Sequence, residues 1–362
     1  LLMSPLVAAF GSLVGAPTWC VPAAVAPRPA AGPPRGAPAE VAPTPVACPG
    51  SGRPSGEATG APPLRPWYRS QGVLAVLAWV VMALGALALL RAGTTSTLGQ
   101  EAGLLAFLVF LPSASSAVVQ LFHPQDILSL GLALGGLAQA LRRRWAVAGL
   151  LFGLALVTKQ YALLLALPAL AAAPTARARL RMVLTGVAVV AAALLPFLLA
   201  APRATIDNLS GVSGGGSVVG ATVVSLAGAS GHLGSAVARG APVVFASLVC
   251  LWAWRRLGPA LVEPRLLLSL ALVCVGSRLI FESVVFPYYL LATSVVFFAL
   301  DLVARRLPVR ALCWCAAAAF FVSFHPSNRY VLAFGTLVLS LVTMVAGFAD
   351  LGSGTRQVAP AA

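Results

Sequence analysis

The sequence predicts an all-α, polytopic integral membrane bundle, and three observations predict it. Hydrophobic residues make up 59% of the 362 and charged residues only 9%, where a soluble domain carries about a quarter charged. Apolar runs long enough to cross a bilayer, about 20 residues each, recur from Gly72 to the end. Arginines gather in short clusters between those runs, as in cytoplasmic loops under the positive-inside rule. A net charge of +15 would otherwise suggest a nucleic-acid partner, and this distribution argues against one.

Residues 1–71 hold more than half of the 28 prolines in an aperiodic mixture with Ala, Gly and Arg. Such a segment buries too little apolar surface to fold, so a disordered tail, or a stretch read in the wrong frame, is expected there. The membrane domain then covers 72–350 and a short tail covers 351–362. Apolar spans fall at roughly 72–90, 103–122, 127–141, 182–200, 242–254, 266–281, 288–303, 308–323 and 330–349, about nine in all.

Between Arg142-Arg143-Arg144 and the cluster of Arg177, Arg179 and Arg181, the run from Trp145 to Ala173 divides at Thr158-Lys159-Gln160. Each arm is about 20 Å long as a helix against a hydrocarbon core of about 30 Å. A helical hairpin entering and leaving from the cytoplasmic side therefore fits both clusters. With that hairpin, Arg91, Arg255, Arg256, Arg265, Arg305, Arg306, Arg310 and Arg356 also fall inside, and Arg203, Arg239 and Arg329 outside, with Arg278 near the outer end of a span. Arg65 and Arg69, before the first span, also lie outside and count against this orientation. Parity then calls for a further span ahead of the tail. The preference for Arg over Lys, with abundant Ala, Gly and Pro, points to a GC-rich, actinobacterium-like source and so to a bacterial plasma membrane.

Three polar groups interrupt the apolar pattern. Lys159 is the only lysine in the chain. At the hairpin tip it needs a compensating partner, such as a lipid phosphate, or a water-filled cavity, because an intramembrane lysine costs on the order of 3 kcal/mol. His123 and Asp126, in Phe122-His123-Pro124-Gln125-Asp126, lie where one span ends and the next begins. A carboxylate there is placed to take a proton from an attacking hydroxyl, although Pro and Asp are also ordinary choices for a helix start. Arg278 and Glu282, four apart, can pair on one helix face beside Tyr288 and Tyr289, which also suit an interfacial aromatic belt. Asp301 and Arg305 have the same spacing at the inner end and are expected to form a structural pair. The Gly- and Ser-rich stretch 201–241, with Asp207, is expected to be an outer loop.

Cys20 and Cys48 lie in the tail, and Cys250, Cys274, Cys313 and Cys315 lie within apolar helices. Cys313-Trp-Cys315 lacks the spacing and partner pair of a zinc site, so no metal site is predicted.

The stretch FHPQDILSLGLALGGLAQALRRRWAVAGLLFGLALVTKQYALLLALPAL, residues 122–170, resembles the GT-C superfamily of polyprenyl-phosphate-sugar-dependent glycosyltransferases. It is most similar to the multispan mannosyltransferase-like proteins of actinobacteria. It carries the family's His-Pro-acidic element, an arginine-tryptophan turn, and Gly149, Gly153, Ala155, Thr158 and Lys159 in its G-x-x-x-G-x-A-x-x-T-K segment. RLIFESVVFPYYLLA, residues 278–292, is similar to the family's acidic-then-Pro-Tyr-Tyr pattern. The resemblance implies inverting transfer of a hexose, mannose first, from a polyprenyl-phosphate donor to a cell-envelope glycolipid or glycan on the outer face. The donor is a substrate, the residues name no certain cofactor and leave a divalent-metal requirement open, and membrane lipid is the surrounding partner. Asp126 would be the catalytic carboxylate, and His123, Lys159, Gln160, Arg278, Glu282, Tyr288 and Tyr289 would hold the substrates. The family's usual catalytic aspartate follows a first span, and residues 1–71 offer only Glu40 and Glu57. An inactive homologue is therefore one alternative. A transporter or lipid flippase is another, to which the recurrence of Phe-His-Pro at 122–124 and 324–326 lends itself.

Overall fold

A computed structural model describes residues 66–115, 117, 123–210, 231–282, 287–324 and 329–358. The tail before residue 66, the Gly/Ser-rich stretch 211–230, Phe122 and the second His-Pro pair lie outside the described residues. Among the described residues all regular structure is helical. Four helical stretches are long and apolar enough to cross a membrane: Gly72–Gly93, Ala176–Ala200, Pro264–Phe281 and Tyr330–Ser353. Shorter apolar helices pack among them, and the helical form fits a membrane bundle because only internal hydrogen bonding satisfies the backbone in lipid.

Helix α1, Pro66–Gly93, begins six residues before the expected boundary, with a proline suited to a first helical turn. Helix α2, Leu98–Phe110, starts on a reciprocal cap between Thr97 and Gln100. It stops at Leu111, whose backbone is extended, so the expected span 103–122 is not one continuous helix. Pro112 is the physical reason, since a residue before proline is driven out of the helical region. Helices α3, Pro124–Leu141, and α4, Trp145–Thr158, flank the arginine turn, which Arg143 closes in the left-handed region at φ 59°.

A one-turn 3-10 segment, Gln160–Ala162, joins α4 to α5, Leu163–Ala172. Helix α6, Ala176–Ala200, packs along α4 in register. A Cβ on Gly149 would strike Met182 and Thr185, and one on Gly153 would stand 2.8 Å from the Gly186 carbonyl and from Val189. Partner numbers rise together, so α4 and α6 run parallel and the chain must return between them through α5. Both basic clusters therefore start from the same end, as the hairpin requires. Its arms are splayed, because α5 packs against later helices more than against α4.

The expected loop 201–241 is helical over α7, Pro202–Ser210, and from the start of α8, Gly231–Leu257; Asp207 thus lies on a helix. Helix α9, Pro264–Phe281, is the most enclosed of the four span-length helices. Helices α10, Leu290–Val303, α11, Val309–Phe324, and α12, Arg329–Val358, complete the bundle. Helix α12 continues past residue 350 because Arg265 bonds both Asp350 Oδ1 and Ser353 Oγ at 2.8 Å.

Asp301 does not pair with Arg305. Arg305 occupies the left-handed position after α10, at φ 55°, and donates to Thr95 Oγ1 at 3.2 Å. The chain reversal instead brings Arg310 Nε to Asp301 at 2.8 Å. Arg306 and Arg310 also reach Asp350. These contacts clamp α9, α10, α11 and α12 at the arginine-rich end. At the same end Arg179 lies over Trp254, 4.7 Å from the ring centre.

Candidate active site

The opposite end gathers the polar residues that interrupted the apolar pattern. Asp126 stands in the first turn of α3, after His123 at the cap and Pro124 at the first helical position. Lys159 ends α4, where the backbone turns extended at φ −154°, ψ 132°. The motif around it is a mount. Gly149 and Gly153 admit α6 at backbone distance, the Ala155 carbonyl accepts from Ser129 of α3 at 3.0 Å, and Thr158 bonds back to Leu154 at 2.6 Å. So fixed, Lys159 Nζ comes 3.1 Å from Asp126 Oδ2. The expected compensating partner is thus a carboxylate of the protein itself.

The third group closes over this pair. Arg278, in the last turn of α9, donates through Nε to Glu282 at 2.6 Å. Its guanidinium lies 4.1 Å from the Tyr289 ring centre and 4.9 Å from that of Tyr161. Tyr288 stacks on His123 with centres 4.9 Å apart, meets Tyr289 edge-on, and has Lys159 Nζ 5.8 Å from its ring centre. Such cation–ring contacts help hold charge in a poorly hydrated setting. His123, Asp126, Lys159, Arg278, Glu282, Tyr288 and Tyr289 thus form one cluster. Gln160 does not join it; its side chain is exposed, because the 3-10 turn rotates it away from α3.

Sequence reasoning missed Tyr161. Its buried hydroxyl donates to the Asp126 carbonyl at 2.7 Å, tying the turn after Lys159 to the start of α3 while its ring carries Arg278. The signal was available: a tyrosine two residues past the lysine, inside an apolar run, needs a partner for its hydroxyl.

Depth follows from the helix rise. Gly93 packs against Val303 and Pro264, so the end of α10 is level with the end of α1. The start of α10, beside Tyr288 and Tyr289, is about 21 Å higher at about 1.5 Å per residue. That is level with the middle of α1, roughly 10 Å below Gly72 by the same rise. The cluster is therefore recessed within the apolar layer. Asp126 is almost fully enclosed, with 3% of its side chain exposed, while Lys159 retains 17%. Among the described residues, no three His, Cys, Asp or Glu side chains gather closely enough to hold a metal ion.

A family model for glycosyltransferase family 87 matches residues 61–281, more than half of the chain. The chain belongs to glycosyltransferase family 87. As a family-87 protein built of apolar helices it is a membrane glycosyltransferase. The family-87 match takes in His123, Asp126, Lys159, Tyr161 and Arg278, and ends one residue before Glu282. Comparisons with curated proteins and with solved structures gave no match.

Proposed function

We propose that this family-87 chain transfers a hexose, mannose first, from a polyprenyl-phosphate donor to a cell-envelope glycolipid or glycan, at the outer face of a bacterial plasma membrane. One observation carries the reading: two cations, two carboxylates and three tyrosines converge in a recess about 10 Å below the end of the longest apolar run of α1. A polyprenyl chain lies in lipid, and drawing its phosphate from the headgroup level into such a recess needs fixed positive charge. Tyrosine faces beside the cations suit a pyranose.

In the proposed step the acceptor hydroxyl oxygen bonds to the anomeric carbon from the face opposite the phosphate. The carbon–oxygen bond to phosphate breaks, its electron pair stays on the phosphate, and the hydroxyl proton passes to Asp126. Lys159 and Arg278 stabilise the charge that grows on the departing phosphate, the kind of preorganised electrostatic help that dominates such steps. His123, Tyr288 and Tyr289 orient the sugar.

The test is to reconstitute the protein in liposomes with polyprenyl-phosphate-mannose and a cell-envelope glycolipid extract, and to follow lipid products by mass spectrometry. A mannosylated glycolipid is expected from the lipid-linked donor and not from a nucleotide sugar. Lys159→Ala should lower turnover by about 100-fold or more, the scale of removing a transition-state donor. Transfer from the nucleotide sugar alone would sink the donor assignment. Movement of polyprenyl phosphate across the bilayer without covalent product would favour a flippase.

A further inference from the structure

The charges of the recess balance without a ligand: Lys159 with Asp126, Arg278 with Glu282. The two pairs are not alike. Arg278 is held by a 2.6 Å hydrogen bond through Nε and by tyrosine rings on either flank. Lys159 is 3.1 Å from Asp126, yet Asp126 Oδ2 makes no hydrogen bond of proper geometry. Its ammonium sits on a flexible four-carbon stem and keeps more exposure than Arg278 does. Arg278 is the fixed cation and Lys159 the movable one.

We propose that this ion pair is exchanged when the donor binds: the lipid-borne phosphate takes the Lys159 ammonium from Asp126, and the carboxylate left behind becomes the base for the acceptor hydroxyl. The inference rests on the reading of the site given above and adds an order of events to it. Without donor, the Asp126 carboxylate is occupied by Lys159 and is not open to an acceptor hydroxyl. With donor, the phosphodiester brings one negative charge into a neutral recess and competes for the only cation able to move.

The charge then balances through the reaction. Before transfer the recess and donor together carry one negative charge. Afterwards the phosphate has gained one and Asp126, now protonated, has lost one, so the total is unchanged. No net charge enters or leaves the apolar layer during the chemical step, which avoids the desolvation cost that a change in buried charge would bring.

Because Lys159 is the only lysine, protein made with lysine labelled at Cε with ¹³C reports on this one side chain. The full chain is placed in phosphatidylcholine nanodiscs and titrated with polyprenyl monophosphate, with binding followed independently by the ³¹P resonance of the lipid. The expected result is a saturable shift of the Lys159 resonance that the unphosphorylated polyprenol does not produce. An equal shift with inorganic phosphate at the same concentration would overturn the lipid-borne source.

In Asp126→Asn the lysine has lost its competing partner. The ligand-free resonance should already be displaced, and polyprenyl monophosphate should bind several-fold tighter. Weaker binding would mean that Asp126 holds Lys159 in place for phosphate, and the exchange would be wrong. Should that variant not fold, the wild-type titration decides alone: bound lipid with an unmoved Lys159 resonance overturns the exchange. The two readings separate cleanly. Mannosyl transfer with an unmoved resonance sinks the exchange and leaves the donor assignment. A shifted resonance without transfer leaves the displacement of Lys159 by lipid phosphate and sinks both the donor assignment and the base role of Asp126.

Discussion

At the scale of single residues, the recess shows how a membrane protein accommodates charge. A lysine in an apolar run is tolerated because Asp126, a turn into the neighbouring helix, neutralises it and the Tyr288 ring lies nearby. Tyr161 contributes without carrying charge, through its bond to the Asp126 carbonyl. Replacing it with phenylalanine removes a buried hydrogen bond worth about 1 kcal/mol but keeps the ring under Arg278. We expect the Tyr161→Phe protein to unfold a few degrees lower in a thermal melt, and turnover to fall more than donor KM rises. A lower melting point with unaltered turnover would make Tyr161 purely structural. The identities of the charged residues were legible in the sequence, since each interrupts an apolar pattern. Their pairing was not. Lys159 read alone calls for a compensating partner without saying which, and only the approach of α4 to the start of α3 shows that Asp126 is there.

At the scale of elements, small residues set how close the helices come. Gly149 and Gly153 face α6, and Gly85 of α1 meets Gly131 of α3 at backbone distance, the small-residue packing typical of membrane helices. Gly149→Val would drive a side chain into Met182 and Thr185 and is expected to destabilise the protein by about 1–3 kcal/mol, as overpacking does. A thermal melt in detergent checks this, and no change would mean that α4 and α6 are not in that register. The start of α2 offers a test by acidity. Hydrogen bonds from Arg91 and then Ser96 hold the Glu101 carboxyl at about 2 against an ordinary 4.5, outweighing its partial burial. A depressed carboxyl stabilises the fold fully above its unfolded value and loses that contribution as pH falls through the folded one. The difference in melting temperature between wild type and Glu101→Gln should therefore be present at pH 7, shrink from about pH 4.5 downward and vanish near pH 2. A difference that persists unchanged at pH 2 would show that the bonds to Arg91 and Ser96 do not govern Glu101.

At the scale of the whole molecule, the arginine turns and the polar recess occupy opposite ends of one bundle. Single cysteines at 142 and 177, in a cysteine-free background, should both be labelled by a membrane-impermeant reagent from the same face. Labelling from opposite faces would break the hairpin and with it the placement of Lys159. The all-helical membrane class and the shared end of the two arginine clusters followed from composition and arginine spacing, because the hydrophobic and positive-inside rules act on short stretches independently of tertiary contacts. Helix limits were less legible. The first helix extends back to Pro66 ahead of its apolar span at Gly72, α12 continued past residue 350 on bonds to Arg265, and Pro112 divided an expected span whose hydropathy alone looked continuous. Asp301 shows why local spacing is insufficient: four residues before Arg305 it matched a helical pair, yet the chain turned at Arg305 and Arg310 took its place. The sequence by itself determined that the chain is a bundle of apolar helices and where its arginine turns fall, both properties of local stretches. Only the tertiary structure decided that Asp126, Lys159 and Arg278 share one recess, because their distances depend on how closely separate helices pack.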